Sequence, residues 1–196
     1  MKQRLIVLVA CLLIGVWLVA RLRPPGSSHG RPHSQATNRA ANGNAYLGLR
    51  SFALQGTREN FGLAPASRPT QPFAVVMDLG LPEGATTVVA IADGSASVYV
   101  GNGGGFIGGG QSHESIRNAA LKTVQLADQV QPLMHATNEY PLAQPGQVNI
   151  YVVTDAGVFT GTASEDDMRR GRSPFSKLGD SAQNIIAEYR RIPEKH

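Results

Sequence analysis

Between Gly101 and Gly110 the chain reads GNGGGFIGGG, seven glycines in ten residues. Each glycine costs roughly 0.5–1 kcal/mol of extra chain entropy on ordering, so a fold that contains this run must use it. The uses open to it are a phosphate cradle, a backbone hinge, or a seat where another group comes too close for a side chain. The run leads directly into QSHESIRNAA, where Ile116, Ala120, Val124, Ala127, Val130 and Met134 recur at helical spacing. Ser112 stands at the natural N-cap of that helix, with Glu114 in its first turn. Pro132 is expected to kink or end it.

Two phosphate motifs nearly match. Gly103 to Gly108, GGGFIG, satisfies G-x-G-x-x-G, but a dinucleotide fingerprint needs a parallel strand-turn-helix unit and the preceding strand here belongs to a hairpin. Gly105 to Ser112, GFIGGGQS, reads as a Walker A loop with Gln111 in the lysine position. An uncharged amide does not replace a lysine on the β and γ phosphates, which argues against ATP hydrolysis. What survives is a ligand or anion loop made by Gly104, Gly105, Gly108, Gly109, Gly110, Gln111, Ser112 and His113, using backbone N–H groups at a helix start. The structural alternative is a strand end or bulge in which Phe106 and Ile107 enter the core and the glycines allow close backbone contact.

Other chemistry is sparse. His113-Glu114 begins like H-E-x-x-H, but Arg117 stands in the second ligand position. Ser112 and His113 could work with Asp78 or Asp155 as a hydrolase, although adjacent Ser and His at a helix start rarely face each other. Glu165, Asp166 and Asp167 followed by Arg169, Arg170 and Arg172 fit a short solvated helix capped by Ser164 and stopped at Gly171. No catalytic residue, metal ligand or cofactor is assigned. Cys11 is the single cysteine and lies in the N-terminal apolar run, so a domain downstream of it has no internal disulfide.

Charge is unevenly placed. Six of the 18 basic residues fall in the first 41 positions, and no acidic residue occurs before Glu59. From residue 42 onward 12 basic residues meet all 14 acidic ones, a net charge of −2. The overall +4 is therefore no signature of nucleic-acid binding.

Residues 5–20, LIVLVACLLIGVWLVA, carry no charge and are flanked by Lys2, Arg4, Arg21 and Arg23. As a helix they would span about 24 Å, short of a hydrocarbon core of about 30 Å but extendable by snorkelling arginines. Leu18, Val19 and Ala20 match a small-x-small cleavage site poorly, which favours an uncleaved single-pass anchor. LVAC at Leu8 to Cys11 looks like a lipobox but sits too early in the run. The short basic head before the apolar run favours a domain outside the cytoplasm. Residues 24–43 hold Pro, Gly, Ser and Asn with no large apolar residue and read as a flexible linker.

From Asn44 regular patterns begin. A helix around Tyr46 to Leu54 precedes a strand at Phe73 to Leu79, and Asp93-Gly94 separates two β-branched runs in the strongest hairpin signal of the chain. A second hairpin turns around Asp155 to Gly157, and a last helix is expected with Ser173 as N-cap and Pro174 at its first position. The order α-βββ-α-ββ-α, with no strand-helix-strand alternation, predicts an α+β domain over 44–196: an antiparallel sheet of about five strands with helices packed on it, preceded by the membrane segment 1–23. In outline it resembles small sensor and scaffold domains of the profilin and roadblock type.

GGGFIGGGQSHESIRNAA also resembles an uncharacterised bacterial family that carries a similar glycine run, an Ile-Gly pair, then His-Glu and an arginine before a helix. The resemblance extends over roughly Ala45 to Ile192, through the aspartate of VVMDLG and the IADGSASVYV hairpin. It implies one domain and supplies no activity. The resulting expectation is a membrane-tethered, non-enzymatic binding or scaffold domain whose glycine loop meets a protein or small-ligand partner.

Overall fold

The computed structural model describes residues 33–192. The expected anchor at 5–20 lies outside them; among the described residues no helix is long and apolar enough to cross a membrane. The first helix, α1 (His33–Gln55), begins upstream of the boundary expected at Asn44, so residues 33–43 are helical where composition suggested linker. Pro32 stands just before the first helical residue, where a missing N–H removes no helical bond, and Ala36, Ala40 and Ala41 then favour the helix.

Seven strands follow instead of about five. They are β1 (Ala74–Leu81), β2 (Gly84–Ile91), β3 (Ala96–Val100), β4 (Gly105–Ile107), β5 (His135–Thr137), β6 (Gln147–Thr154) and β7 (Gly157–Ser164). They form one sheet in the order β4-β3-β2-β1-β6-β7-β5, and every neighbouring pair is antiparallel. The two extra strands are the edges. Each has three residues, too few to show an alternating pattern.

Helices cover both faces, which is why β1 reads AVVM without polar alternation. On one face α2 (Glu114–Val130) and α4 (Ser176–Arg190) set Ile116, Ala120, Val124, Leu178, Ala182 and Ile185 against Val75, Met77, Val88, Val98, Ile150 and Val152. On the other, α1 and the segment after it bury Tyr46, Ala53, Leu54 and Phe73 against Val76, Val89, Tyr151 and Val153. Pro132 lies in a 3-10 turn that closes α2. The short helix α3 (Glu165–Arg169) is capped as expected, Ser164 Oγ accepting the Asp167 N–H at 3.0 Å. Ser173 does not cap α4. Its Oγ accepts the Phe175 N–H and its carbonyl the Ser176 N–H, making a separate turn before the helix starts at Ser176.

Candidate functional site

The glycine run folds into β4 and a 3-10 turn at Gly109–Gln111 that delivers the chain to α2. Its glycines are required by close approach. A Cβ on Gly110 would lie 1.8 Å from the Gly94 carbonyl oxygen, and one on Gly105 (φ +147°) 2.1 Å from that of Val98. At Gly109 it would meet the Tyr189 ring at 2.5 Å. Gly104 and Gly108 hold positive φ of 88° and 69°, which suits the turns on either side of β4.

The N–H groups that would cradle an anion point into the protein. Gly108 donates to Ser97 Oγ at 3.3 Å and Gly109 to Tyr189 Oη at 2.8 Å. Gln111 donates to the Gly108 carbonyl, and Ser112 and His113 both donate to that of Gly109. Tyr189 Oη passes its own proton to the Ala96 carbonyl at 2.6 Å. Its ring stacks on Phe106 with centroids 4.7 Å apart. Burial pushes the Tyr189 hydroxyl up to about 12, against the opposing effect of the Gly109 hydrogen bond.

Gln111, in the Walker lysine position, ties this turn to the β2–β3 hairpin. Its Nε2 donates to Ser95 Oγ at 2.9 Å and to Asp93 Oδ2 at 3.3 Å. Arg117 Nη1 donates to the Asp93 carbonyl at 2.9 Å, clamping the hairpin from the α2 side. The α2 N-cap is His113, with φ −133° and ψ 112° and no side-chain cap bond, so Ser112 is not the cap. The 3-10 turn ends on Ser112, whose N–H closes that turn, and this shifts helix entry by one residue. Ser112 is exposed, and of the two residues expected in the core only Phe106 packs there; Ile107 is 68% exposed.

The two acids considered for Ser112 and His113 are engaged elsewhere. Arg58 Nε holds Asp155 at 2.6 Å. Asp78, fully buried on β1, is held by Arg50. This second cluster lies under α1 and was not read from the sequence as a site. Strand register aligns Tyr99, Thr87, Asp78, Asn149 and Thr162 in one row across β3, β2, β1, β6 and β7. Arg50 Nε donates to both Asp78 oxygens, at 3.1 and 2.9 Å, and Nη2 to Oδ2 at 2.5 Å. Thr87 Oγ1 gives its proton to Asp78 at 2.6 Å, so at the 2.8 Å Tyr46–Thr87 contact the tyrosine is the donor. Burial, reinforced by the Asp78 charge, raises the Tyr151 hydroxyl above its usual range. The available signal was one aspartate inside an apolar strand, since a buried carboxylate requires a partner.

Among the described residues no group of three His, Cys, Asp or Glu side chains is placed to hold a metal ion. No family model matches the chain, no curated protein matches it, and no solved structure matches it.

Proposed function

We propose that this is a membrane-tethered, non-enzymatic binding domain whose partner-contacting surface is the β4 edge with the glycine turn that follows. One observation carries the reading: Ile107 is a large apolar side chain, 68% exposed, on a three-residue edge strand. The unpaired side of β4 offers a partner backbone groups for strand addition, with Ile107 as the apolar anchor beside them. The non-enzymatic part is supported by the dispersal of the hydrolytic candidates, with Asp78 and Asp155 both paired to arginines away from Ser112. The anion alternative is disfavoured by the inward direction of the Gly108, Gly109, Gln111, Ser112 and His113 N–H groups.

The test places a photo-crosslinking amino acid at Ile107 in the full chain in its native membrane, with the exposed Ser115 as the control position. A discrete protein adduct from position 107 only is expected, and Ile107→Asp should prevent partner recovery without lowering the melting temperature. Adducts at neither position, or equally at both, would count against the edge. Recovery of a soluble mature chain beginning near residue 21 would remove the tether.

A further inference from the structure

We propose that the sheet face under α1 is a recognition site for a guanidinium group, that of an arginine side chain, and that Arg50 is its built-in occupant. This surface is separate from the β4 edge, and the inference goes beyond the function proposed above.

The receptor and its occupant come from different parts of the chain. Besides the Asp78 carboxylate, the Arg50 guanidinium meets the carbonyl oxygens of Tyr140 and Pro141, at 3.0 Å from Nη1 and 3.2 Å from Nη2. The Tyr151 ring lies beside it, 5.5 Å from ring centroid to Cζ. Each of these groups is fixed by the sheet or by the loop before β6. Thr87 orients Asp78. The Pro141 carbonyl also accepts from Tyr151 Oη at 2.7 Å and from Asn149 Nδ2 at 3.2 Å. The loop is pinned to β1, since the Gly146 N–H reaches the Gly80 carbonyl at 3.1 Å and a Cβ on Gly80 would lie 1.9 Å from the Gln144 oxygen. Only Tyr46 and Arg50 come from α1, and lifting the helix leaves the acceptors held by their own neighbours.

The geometry selects a guanidinium over an ammonium ion. Arg50 sends Nε and Nη2 to one carboxylate while Nη1 and Nη2 reach two carbonyls, and an aromatic ring flanks the cation. An ammonium has three donors and no planar fork, so it cannot satisfy the carboxylate and both carbonyls together. α1 joins β1 only through residues 56–73. Displacement of α1 would therefore expose a formed site to an arginine presented by another protein.

The experiment uses the full chain with Arg50→Ala, titrated with methylguanidinium chloride and, as control, methylammonium chloride at matched ionic strength. Expected is a saturable rise in melting temperature with methylguanidinium alone, no rise in the wild type, and loss of the effect when Asp78→Asn is added. Equal responses to both salts, no response in Arg50→Ala, or the same response in the wild type would overturn the proposal. If Arg50→Ala does not fold, the salts are included during refolding. Recovery of cooperative unfolding with methylguanidinium only then supports it, and recovery with both or with neither overturns it. The crosslink at Ile107 reads the other surface, so the two readings fail independently.

Discussion

Under α2 and α4 the sheet presents Val75, Met77, Val88, Val98, Ile150 and Val152 to an equally apolar helix pair, whereas under α1 the same strands present the row Tyr99, Thr87, Asp78, Asn149 and Thr162. The first face is held by burial, which is non-directional and tolerates repacking. The second depends on hydrogen bonds that work in one geometry and penalise the loss of either partner. One sheet thus carries a side specified by volume and a side specified by angle.

The largest effect should come from breaking the directional side. Asp78→Ala leaves the Arg50 guanidinium buried without its carboxylate and should cost about 3–5 kcal/mol in denaturant unfolding. Arg50→Met combined with Asp78→Leu should recover most of that loss, because no charge is then stranded. Equal losses in the single and double variants would show that the contrast between the faces is not electrostatic. On the other face, Leu178→Ala should cost about 2–5 kcal/mol, while the volume-conserving Leu178→Met stays under about 1.5 kcal/mol. Arg50→Lys, which also conserves charge, should not be tolerated in the same way.

Tyr189 joins α4 to the glycine turn, and pH tests that joint. Its folded pKa of about 12 lies above the ordinary tyrosine value near 10. Its contribution is therefore fully present below pH of about 10 and is lost as pH rises through about 12, on the order of 2–3 kcal/mol. Tyr46, Tyr99 and Tyr151 are shifted upward too, so Tyr189→Phe should remove part of the alkaline loss in a pH series of melts. An unchanged alkaline limb would place the loss on the other three.

Smaller effects probe the turn itself. Gly110→Ala must move the Gly94 backbone and should destabilise by roughly 1–3 kcal/mol, reversing the gain that alanine gives by stiffening the unfolded chain. Ser112→Ala, at an exposed position outside the cap, should change stability by no more than about 0.5 kcal/mol. A loss near 1 kcal/mol there would restore Ser112 as a cap.

What could be read in advance follows the range of each signal. α2 and the hairpin at Asp93-Gly94 were legible because their periodicity and turn residues are local. β4 and β5 were not, since a three-residue strand is defined by its neighbour and not by its own pattern. The need for glycine was visible at Gly105, Gly109 and Gly110, but the groups that demand it, Val98, Tyr189 and Gly94, lie in other elements. Arg50 and Asp78 are 28 positions apart in chain order and meet only when α1 crosses the sheet. Nothing in either residue's surroundings names the other.

α1 also has mechanical consequences. Its 23 residues make a rod of about 35 Å, and Tyr46, Arg50, Ala53 and Leu54, which bury against the sheet, lie toward its C-terminal end. A pull on the other end is resisted by these few contacts, and Arg50 is the only one whose bonds lose strength with small sideways displacement. A load along the rod shears the Arg50 fork across Asp78, while a load across the rod peels Tyr46 from Thr87 first. The domain would therefore yield at different forces along the two directions, and the direction of tension on the N-terminal segment would decide which contact fails.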